Sequence, residues 1–350
     1  MRAAGAQLRQ LRVRGRESAV AAVGNDRDLL SIAAEVRDKR SQVRSHPLSV
    51  AWAQAANPRV KLKFCFNQPA GGRVSAGQRC DFGELAVADT IYDMVIIGGG
   101  PGGYTTAIRA GQYGLKVALI EREKKLGGTC LHVGCIPTKS LLFDAEIYDH
   151  LKHAAEHGIE GVGQVTINWK TILERKNGIV TKHVKGLDFL MRKNKVTTIE
   201  GYGRLTGPAK EGIHSISVEA ANGEKQVIQG KNVVIATGSD ARMLPGVEAD
   251  GTSILTNIEI LALPAIPKSM VVIGAGAVGV EFGSIFKSFG SEITIVEYLP
   301  TLVPNEDADI SKELARVFRK RGIETHTGAK VEKVEKTAAG AKVTFTSADG

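Results

Sequence analysis

Two cysteines carry the most distinctive chemistry in this chain. Cys130 and Cys135 stand five positions apart in Gly127-Gly128-Thr129-Cys130-Leu131-His132-Val133-Gly134-Cys135-Ile136-Pro137. In a regular helix, Cα atoms at i and i+5 lie about 8–9 Å apart, whereas a disulfide needs them within about 7 Å. If the two sulfurs bond, the backbone between them cannot be regular helix, and Gly134 and Pro137 supply the means to distort it. Such a bridge is bent, local and reducible, suited to redox exchange more than to stapling a fold.

The residues on either side read as the elements that must hold this pair. Tyr92–Ile97 is a short apolar run, as in a buried parallel strand. Gly98-Gly99-Gly100-Pro101-Gly102-Gly103 follows, then a helical stretch over Tyr104–Tyr113 and a second strand at Lys116–Ile120 ending on Glu121. This is a βαβ unit carrying G-x-G-x-x-G. Gly98 makes the tight turn, Gly100 lets backbone approach a pyrophosphate, and Gly103 lets helix and strand pack closely. The helix start offers N–H groups to phosphates, and Glu121 is placed to accept ribose hydroxyls. The pattern recurs downstream: Met270–Ile273, then Gly274-Ala275-Gly276-Ala277-Val278-Gly279, a helix over Glu281–Phe289, and a strand at Ile293–Val296 ending on Glu297. Two such motifs 176 residues apart imply two bound dinucleotides.

Between and after them, residues 144–194 read as mainly helical. His150, His153 and His157 share a helical face without a carboxylate or thiol pattern, which fits a solvated face better than a metal site. Residues 195–230 read as short antiparallel strands with turns at Gly201, Gly207-Pro208 and Asn222-Gly223. Asn232–Ser239 reads as a buried strand ending in a Gly turn. Residues 307–322 form an amphipathic helix with Ile310, Leu314, Val317 and Phe318 on one face, followed by strands near 323–325, 330–334 and 342–346.

The first 86 residues behave differently. They hold 15 Lys/Arg and 7 Asp/Glu, so almost all of the chain's net charge of +9 is theirs. Their basic residues are diffuse and show no helical or strand period, so they are expected to form no domain: an upstream stretch before a start at Val87, or a disordered extension. An Arg- and Ala-rich opening also suits a mitochondrial or plastid transit peptide, against which stand Glu17, Asp26, Asp28, Glu35 and Asp38. A nucleic-acid role is not expected, since the basic residues are not clustered with aromatics. Four cysteines in 350 residues make no disulfide framework. No apolar run approaches the ~20 residues of a membrane span, so a soluble, cytoplasmic protein is expected, with mitochondrial matrix or plastid the alternative.

Gly98–Gly103 with Glu121, Gly127–Lys139, Ala236–Gly238, and Gly274–Gly279 with Glu281 and Glu297 together resemble the pyridine nucleotide–disulfide oxidoreductases, and within them most closely the dihydrolipoamide dehydrogenases. The resemblance covers about residues 90–350. It implies an α/β fold with two Rossmann-like domains: an FAD-binding domain over 87–240 carrying the redox disulfide, and an NAD-binding domain over 241–350 that is incomplete. It assigns FAD to Gly98, Gly100, Gly103, Glu121, Gly128, Thr129, Lys139, Gly203, Thr237, Gly238 and Ser239, and NAD to Gly274, Gly276, Gly279, Glu297 and Val331. Cys130 would be the interchange thiol and Cys135 the thiol against the flavin. Lys139, paired with Glu281, would stabilise negative charge beside the flavin, the bland alternative being a surface lysine. Electrons would pass from a dihydrolipoyl dithiol through Cys130–Cys135 and FAD to NAD⁺. Implied partners are the lipoyl domain of a 2-oxo acid dehydrogenase complex or glycine cleavage system, and a second copy in a homodimer.

Glu297 accepts a ribose 2′-hydroxyl and repels a 2′-phosphate, and with Gly279 argues against the NADPH-dependent glutathione reductases. Mercuric reductases carry further C-terminal cysteines and often an N-terminal CxxC, neither present here. A non-catalytic dinucleotide-binding remnant is the reading from a different class. Two departures stand out. His132 replaces the family's more usual asparagine. The family's dimerisation domain, with its His–Glu acid/base pair, has no counterpart among the eight histidines, so this polypeptide is expected not to turn over lipoamide by itself.

Overall fold

The apolar run that reads as one strand is divided at Asp93. In the computed structural model, which describes residues 87–348, β1 (Val87–Tyr92) and β2 (Met94–Ile97) enter different sheets. The division has a polar cause: the Asp93 carboxylate accepts the Lys116 N–H at 2.9 Å and pairs with Lys231 Nζ at 2.8 Å. The readings of residues 1–86, with Cys65 and Cys80, lie outside the described residues.

From β2 the chain turns through the first glycine loop into α1 (Pro101–Gln112) and returns as β3 (Val117–Glu121). Pro101 occupies the first helical turn, where its missing N–H costs nothing. Two consecutive helices follow, α2 (Gly128–Val133) and α3 (Cys135–Lys152). A single 3₁₀ turn at Ala154–His157 precedes α4 (Trp169–Lys193). The expected helix is therefore interrupted, because residues 158–168 are irregular. His150, His153 and His157 are exposed, and His153 Nδ1 bonds Glu156 at 2.8 Å.

β4 (Thr197–Glu200) corrects the expectation of an antiparallel set over 195–230. It pairs in parallel with β3 and belongs to the dinucleotide sheet. Only β5 (Tyr202–Leu205), β6 (His214–Glu219) and β7 (Lys225–Gly230) form the antiparallel meander, with β1 added in parallel along β7. β8 (Val233–Ile235) completes the parallel sheet in the order β4-β3-β2-β8. As an edge strand it is less buried than its sequence suggests, and Ile235 is 61% exposed.

The alternation of side chains explains why this sheet is covered twice. Ile96 and Leu119 point into a core with Ala107, Ala110, Val184, Leu187 and Met191 of α1 and α4. Val95, Ile97, Ala118 and Ile120 point the other way, onto Ile216, Val218 and Ile228 of the meander. Residues two apart share a face, so an unbroken apolar run serves both layers.

The second half repeats the plan. A short α5 (Asn257–Ile260) carries a capping box between Thr256 and Glu259. β9 (Ser269–Ile273), α6 (Ala277–Ser288) and β10 (Glu292–Glu297) form the second βαβ unit. α7 (Ala308–Lys320) leads to β11 (Glu324–Thr327), giving the parallel order β11-β10-β9. β12 (Lys330–Thr337) and β13 (Gly340–Thr346) make a separate antiparallel hairpin. On α7 the expected apolar face is shifted. Phe318 and Ser311 are buried, whereas Ile310 is 56% exposed. The helix turns Ser311 inward, and its hydroxyl donates to the Val303 carbonyl at 3.4 Å. All the described residues belong to one unit, and the second core joins α3 and α4 to it: Leu141, Ala145 and Trp169 pack with Phe282, Phe286 and Ile295.

Candidate functional site

The cysteine pair sits at a break between two helices. Cys130 lies in α2, Cys135 is the first residue of α3, and Gly134 (φ −144°, ψ −118°) separates them. A Cβ at Gly134 would meet the Thr129 carbonyl oxygen at 2.9 Å and Cys130 Cα at 3.3 Å, so the chain folds back on the first cysteine in a way only glycine fits easily. The expected irregularity is present, with one refinement. Gly134 makes the break, whereas Pro137 falls in the first turn of α3, where a helix has no partner for its N–H. Both sulfurs are thiols in this structure, Cys130 half-buried and Cys135 exposed. The N-terminus of α3 has no side-chain cap, so its positive end favours negative charge beside Cys135.

His132 braces this segment: its Nε2 donates to the Leu126 carbonyl at 2.9 Å, inside the same loop. Lys139, one turn into α3, reaches α6 and bonds both oxygens of Glu281, at 2.6 and 2.8 Å. The pairing read from the sequence is therefore present, and it ties α3 to the second βαβ unit. Lys152 Nζ to the Ser288 carbonyl (3.2 Å) joins the same two helices, and Asn257 Nδ2 to the Val133 carbonyl (2.7 Å) joins α5 to α2.

Sequence reasoning missed Tyr104. It shares with Cys130, Leu131 and Ile136 an open cavity of about 350 Å³, completed by Lys182, His183 and Leu187 of α4. Burial raises the Tyr104 hydroxyl pKa, and the charges of Cys130 and Cys135 raise it further. No local signal links these residues, because α4 lies about fifty positions beyond the cysteines.

Around the first glycine loop, the Gly98 N–H donates to the Ile120 carbonyl at 2.8 Å, and Glu121 Oε2 accepts the Gly99 N–H at 2.5 Å. A Cβ on Gly103 would collide with the Gly98 carbonyl oxygen, which is the close packing its place in the motif requires. Gly128 and Thr129 begin α2 directly against Gly100, whose Cβ would stand 3.7 Å from Gly128 Cα. Thr237, Gly238 and Ser239 are exposed just past β8, and the Thr237 nitrogen lies beside Gly98. Gly203 lies against Ile97 and Ile120 at the ends of β2 and β3.

The second loop matches it. The Gly274 N–H donates to the Val296 carbonyl at 2.8 Å, and Glu297 Oε2 accepts the Ala275 N–H at 2.6 Å. Gly279 packs against the Gly274 carbonyl, and the space a Cβ of Gly276 would enter is open. Glu297 is buried, and its other oxygen accepts the Leu299 N–H at 2.8 Å. Each carboxylate oxygen keeps a second lone pair. Val331 lies on β12, two residues beyond Ala329, whose N–H donates to the Glu297 carbonyl at 2.9 Å.

These residues fit two dinucleotides. The helices that follow both loops start without side-chain caps, so free N–H groups and the positive helix end meet open, side-chain-free backbone, the chemistry a pyrophosphate needs. Among the described residues no cluster of His, Cys, Asp or Glu could hold a metal ion, and no helix is long and apolar enough to cross a membrane.

Residues 92–350 match the family described as pyridine nucleotide-disulphide oxidoreductase. The chain is 47% identical over 248 residues to a dihydrolipoyl dehydrogenase of Bacillus subtilis, covering 69% of this chain and 51% of that protein. It is 44% identical to the mitochondrial dihydrolipoyl dehydrogenase of Pisum sativum (74% and 50%) and 44% identical to a leghemoglobin reductase of Glycine max (74% and 48%). The chain spans about half the length of the curated relatives it matches. Among solved structures, LpdA from Mycobacterium tuberculosis superposes with a TM-score of 0.67 at 28% identity, over 75% of this chain and 55% of that one. The flavoprotein disulfide reductase RclA from Escherichia coli gives 0.59 at 28%, over 73% and 54%. The family uses FAD and NAD, the two groups that the paired glycine loops fit. On its motifs, its fold and these matches, the chain belongs to the pyridine nucleotide-disulphide oxidoreductases.

Proposed function

We propose that this protein is a dihydrolipoyl dehydrogenase, oxidising the dihydrolipoyl group of a lipoyl domain in a 2-oxo acid dehydrogenase complex or the glycine cleavage system. The observation that carries the reading is the placement of Cys130 and Cys135 on either side of the Gly134 break, next to the first glycine loop. The names of the relatives from Bacillus subtilis and Pisum sativum support the choice of substrate.

In this reading Gly98–Gly103 with Glu121 holds FAD and Gly274–Gly279 with Glu297 holds NAD. When bound, the two cofactors carry the electron pair from the cysteines to the nicotinamide. The chain's own residues do the rest. With the pair as a disulfide, a dithiol entering the cavity beside Tyr104 attacks the Cys130 sulfur as a thiolate and releases Cys135 as a thiolate. The second substrate sulfur then displaces Cys130, so the substrate leaves as a disulfide and both cysteines are reduced. The start of α3 favours the negative charge left on Cys135. Lys139, held by Glu281, adds a positive charge one turn further on. The working form of the complete protein is a homodimer. It acts in the cytoplasm, with mitochondrial matrix or plastid the alternative that cell fractionation distinguishes.

Anaerobic titration of the flavin-loaded protein with dihydrolipoamide tests this. Bleaching of the flavin with a new long-wavelength band is expected. In both Cys130→Ser and Cys135→Ser, reduction by the dithiol should slow by about 10³-fold or more at unchanged flavin content. Reduction by glutathione, with none by dihydrolipoamide, would sink the proposed substrate and leave the family intact.

A further inference from the structure

The two glycine loops agree beyond their motif. Gly99, Glu121 and Gly127 stand 176 residues before Ala275, Glu297 and Val303. At the first loop Glu121 accepts the Gly99 N–H at 2.5 Å and the Glu123 N–H at 3.0 Å, and the Gly127 N–H donates to the Gly99 carbonyl at 2.9 Å. At the second loop Glu297 accepts the Ala275 N–H at 2.6 Å and the Leu299 N–H at 2.8 Å, and the Val303 N–H donates to the Ala275 carbonyl at 2.9 Å. In both, the residue at the crest of the loop is gripped at both ends of its backbone: by the glutamate below, and by an N–H six residues after that glutamate.

Both gripping residues have positive φ, 132° at Gly127 and 40° at Val303. Glycine adopts this readily, whereas a β-branched residue does so only against a steric penalty. Such a conformation persists when its surroundings over-determine it. Here the Val303 carbonyl accepts the Glu306 N–H at 2.9 Å and the Ser311 hydroxyl at 3.4 Å, and its side chain is 9% exposed in the core.

We propose that Val303 is a positioning residue for the second dinucleotide site. Its N–H, aimed by the positive φ, fixes the Ala275 peptide and with it the N–H groups at the start of α6 that meet the pyrophosphate. Gly127 does the same for the first site while also opening the redox helix. This rests on the reading of the second loop as the NAD site. Preorganisation of this kind shows in affinity, because the loop need not be ordered when ligand arrives.

The test is NADH binding to the full, flavin-loaded chain, followed by calorimetry. Val303→Gly keeps the N–H and permits positive φ, so its affinity should stay within about threefold of the parent even if the protein melts lower. Val303→Pro removes the N–H and locks φ negative, and should bind NADH about tenfold more weakly with flavin content and thiol titre unchanged. Equal binding by Val303→Pro and the parent would overturn the proposal. So would an equal loss in both variants, which would place the effect in side-chain packing. If Val303→Pro does not fold, amide exchange in the parent decides. The Val303 N–H should be protected and slow further with NADH, and exchange at an unprotected rate would refute the grip. A parent that binds no NADH overturns the reading of the second loop instead.

Discussion

Lys139 and Glu281 are joined by two short hydrogen bonds, yet the lysine side chain is 57% exposed and the glutamate 25%. An exposed pair adds little to stability, so its value lies in holding a cation near the redox pair. Lys139→Met should change unfolding stability by less than about 1 kcal/mol while slowing flavin reduction by dithiol in stopped-flow. A large loss of stability would instead make the pair a structural clamp. Tyr104 permits a second prediction. The Cys130 and Cys135 charges raise its hydroxyl pKa, so removing them should let it ionise at lower pH. Burial still acts, so the group should remain above the ordinary tyrosine value. Ultraviolet titration of the Cys130→Ser/Cys135→Ser double variant against the parent reads the difference.

Between residue and molecule, the decisive element is the α2–α3 break. Gly134 has no room for a Cβ unless the Thr129 carbonyl moves. Gly134→Ala should cost about 1–3 kcal/mol by overpacking, measured by urea unfolding. It should also slow thiol–disulfide exchange, since Cys130 and Cys135 would be pushed apart. A substitution that leaves both unchanged would show that the break tolerates a side chain. The break was legible in the sequence because a bond between cysteines five apart is incompatible with regular helix, and a glycine stands between them. The irregular stretch 158–168, the parallel pairing of β4 and the outward Ile310 were not. Periodicity reports which residues are apolar, but a strand's partner and a helix's rotation are settled by what packs against them.

Across the whole molecule, a polar cluster ties α3 to the second βαβ unit. Asp149 accepts Ser288 Oγ at 2.5 Å and Lys152 Nζ at 2.8 Å, and Arg321 reaches Asp149 at 3.3 Å and Ser288 Oγ at 2.7 Å. Burial pushes the Asp149 carboxyl up, but the bonds from Lys152 and Ser288 and the nearby Lys152 and Arg321 charges outweigh it, leaving the pKa lowered. A lowered carboxyl adds stability above its unfolded pKa of about 3.9 and loses it as pH falls through the folded value. The urea midpoint of the parent should therefore drop below about pH 4. Asp149→Asn should lower stability at neutral pH by about 1 kcal/mol, since a third of the side chain faces solvent, and should flatten that acid limb. Parallel acid limbs in the two proteins would remove Asp149 as the cause.

The sequence by itself determined the chemistry: which residues can exchange electrons, which loops can cradle phosphate, and which strands carry Glu121 and Glu297 at their ends. These are local facts, set by residue type and short spacing, and they survive whatever the rest of the chain does. Tertiary structure alone decided that Tyr104, Lys182 and His183 meet Cys130 in one cavity, and that Val303, an unremarkable valine in sequence, takes the place of Gly127 at the second loop. Those pairings join residues far apart in the chain or depend on a backbone angle. No pattern of residue types encodes them, because they arise only when packed elements leave one conformation that satisfies every buried N–H and carbonyl.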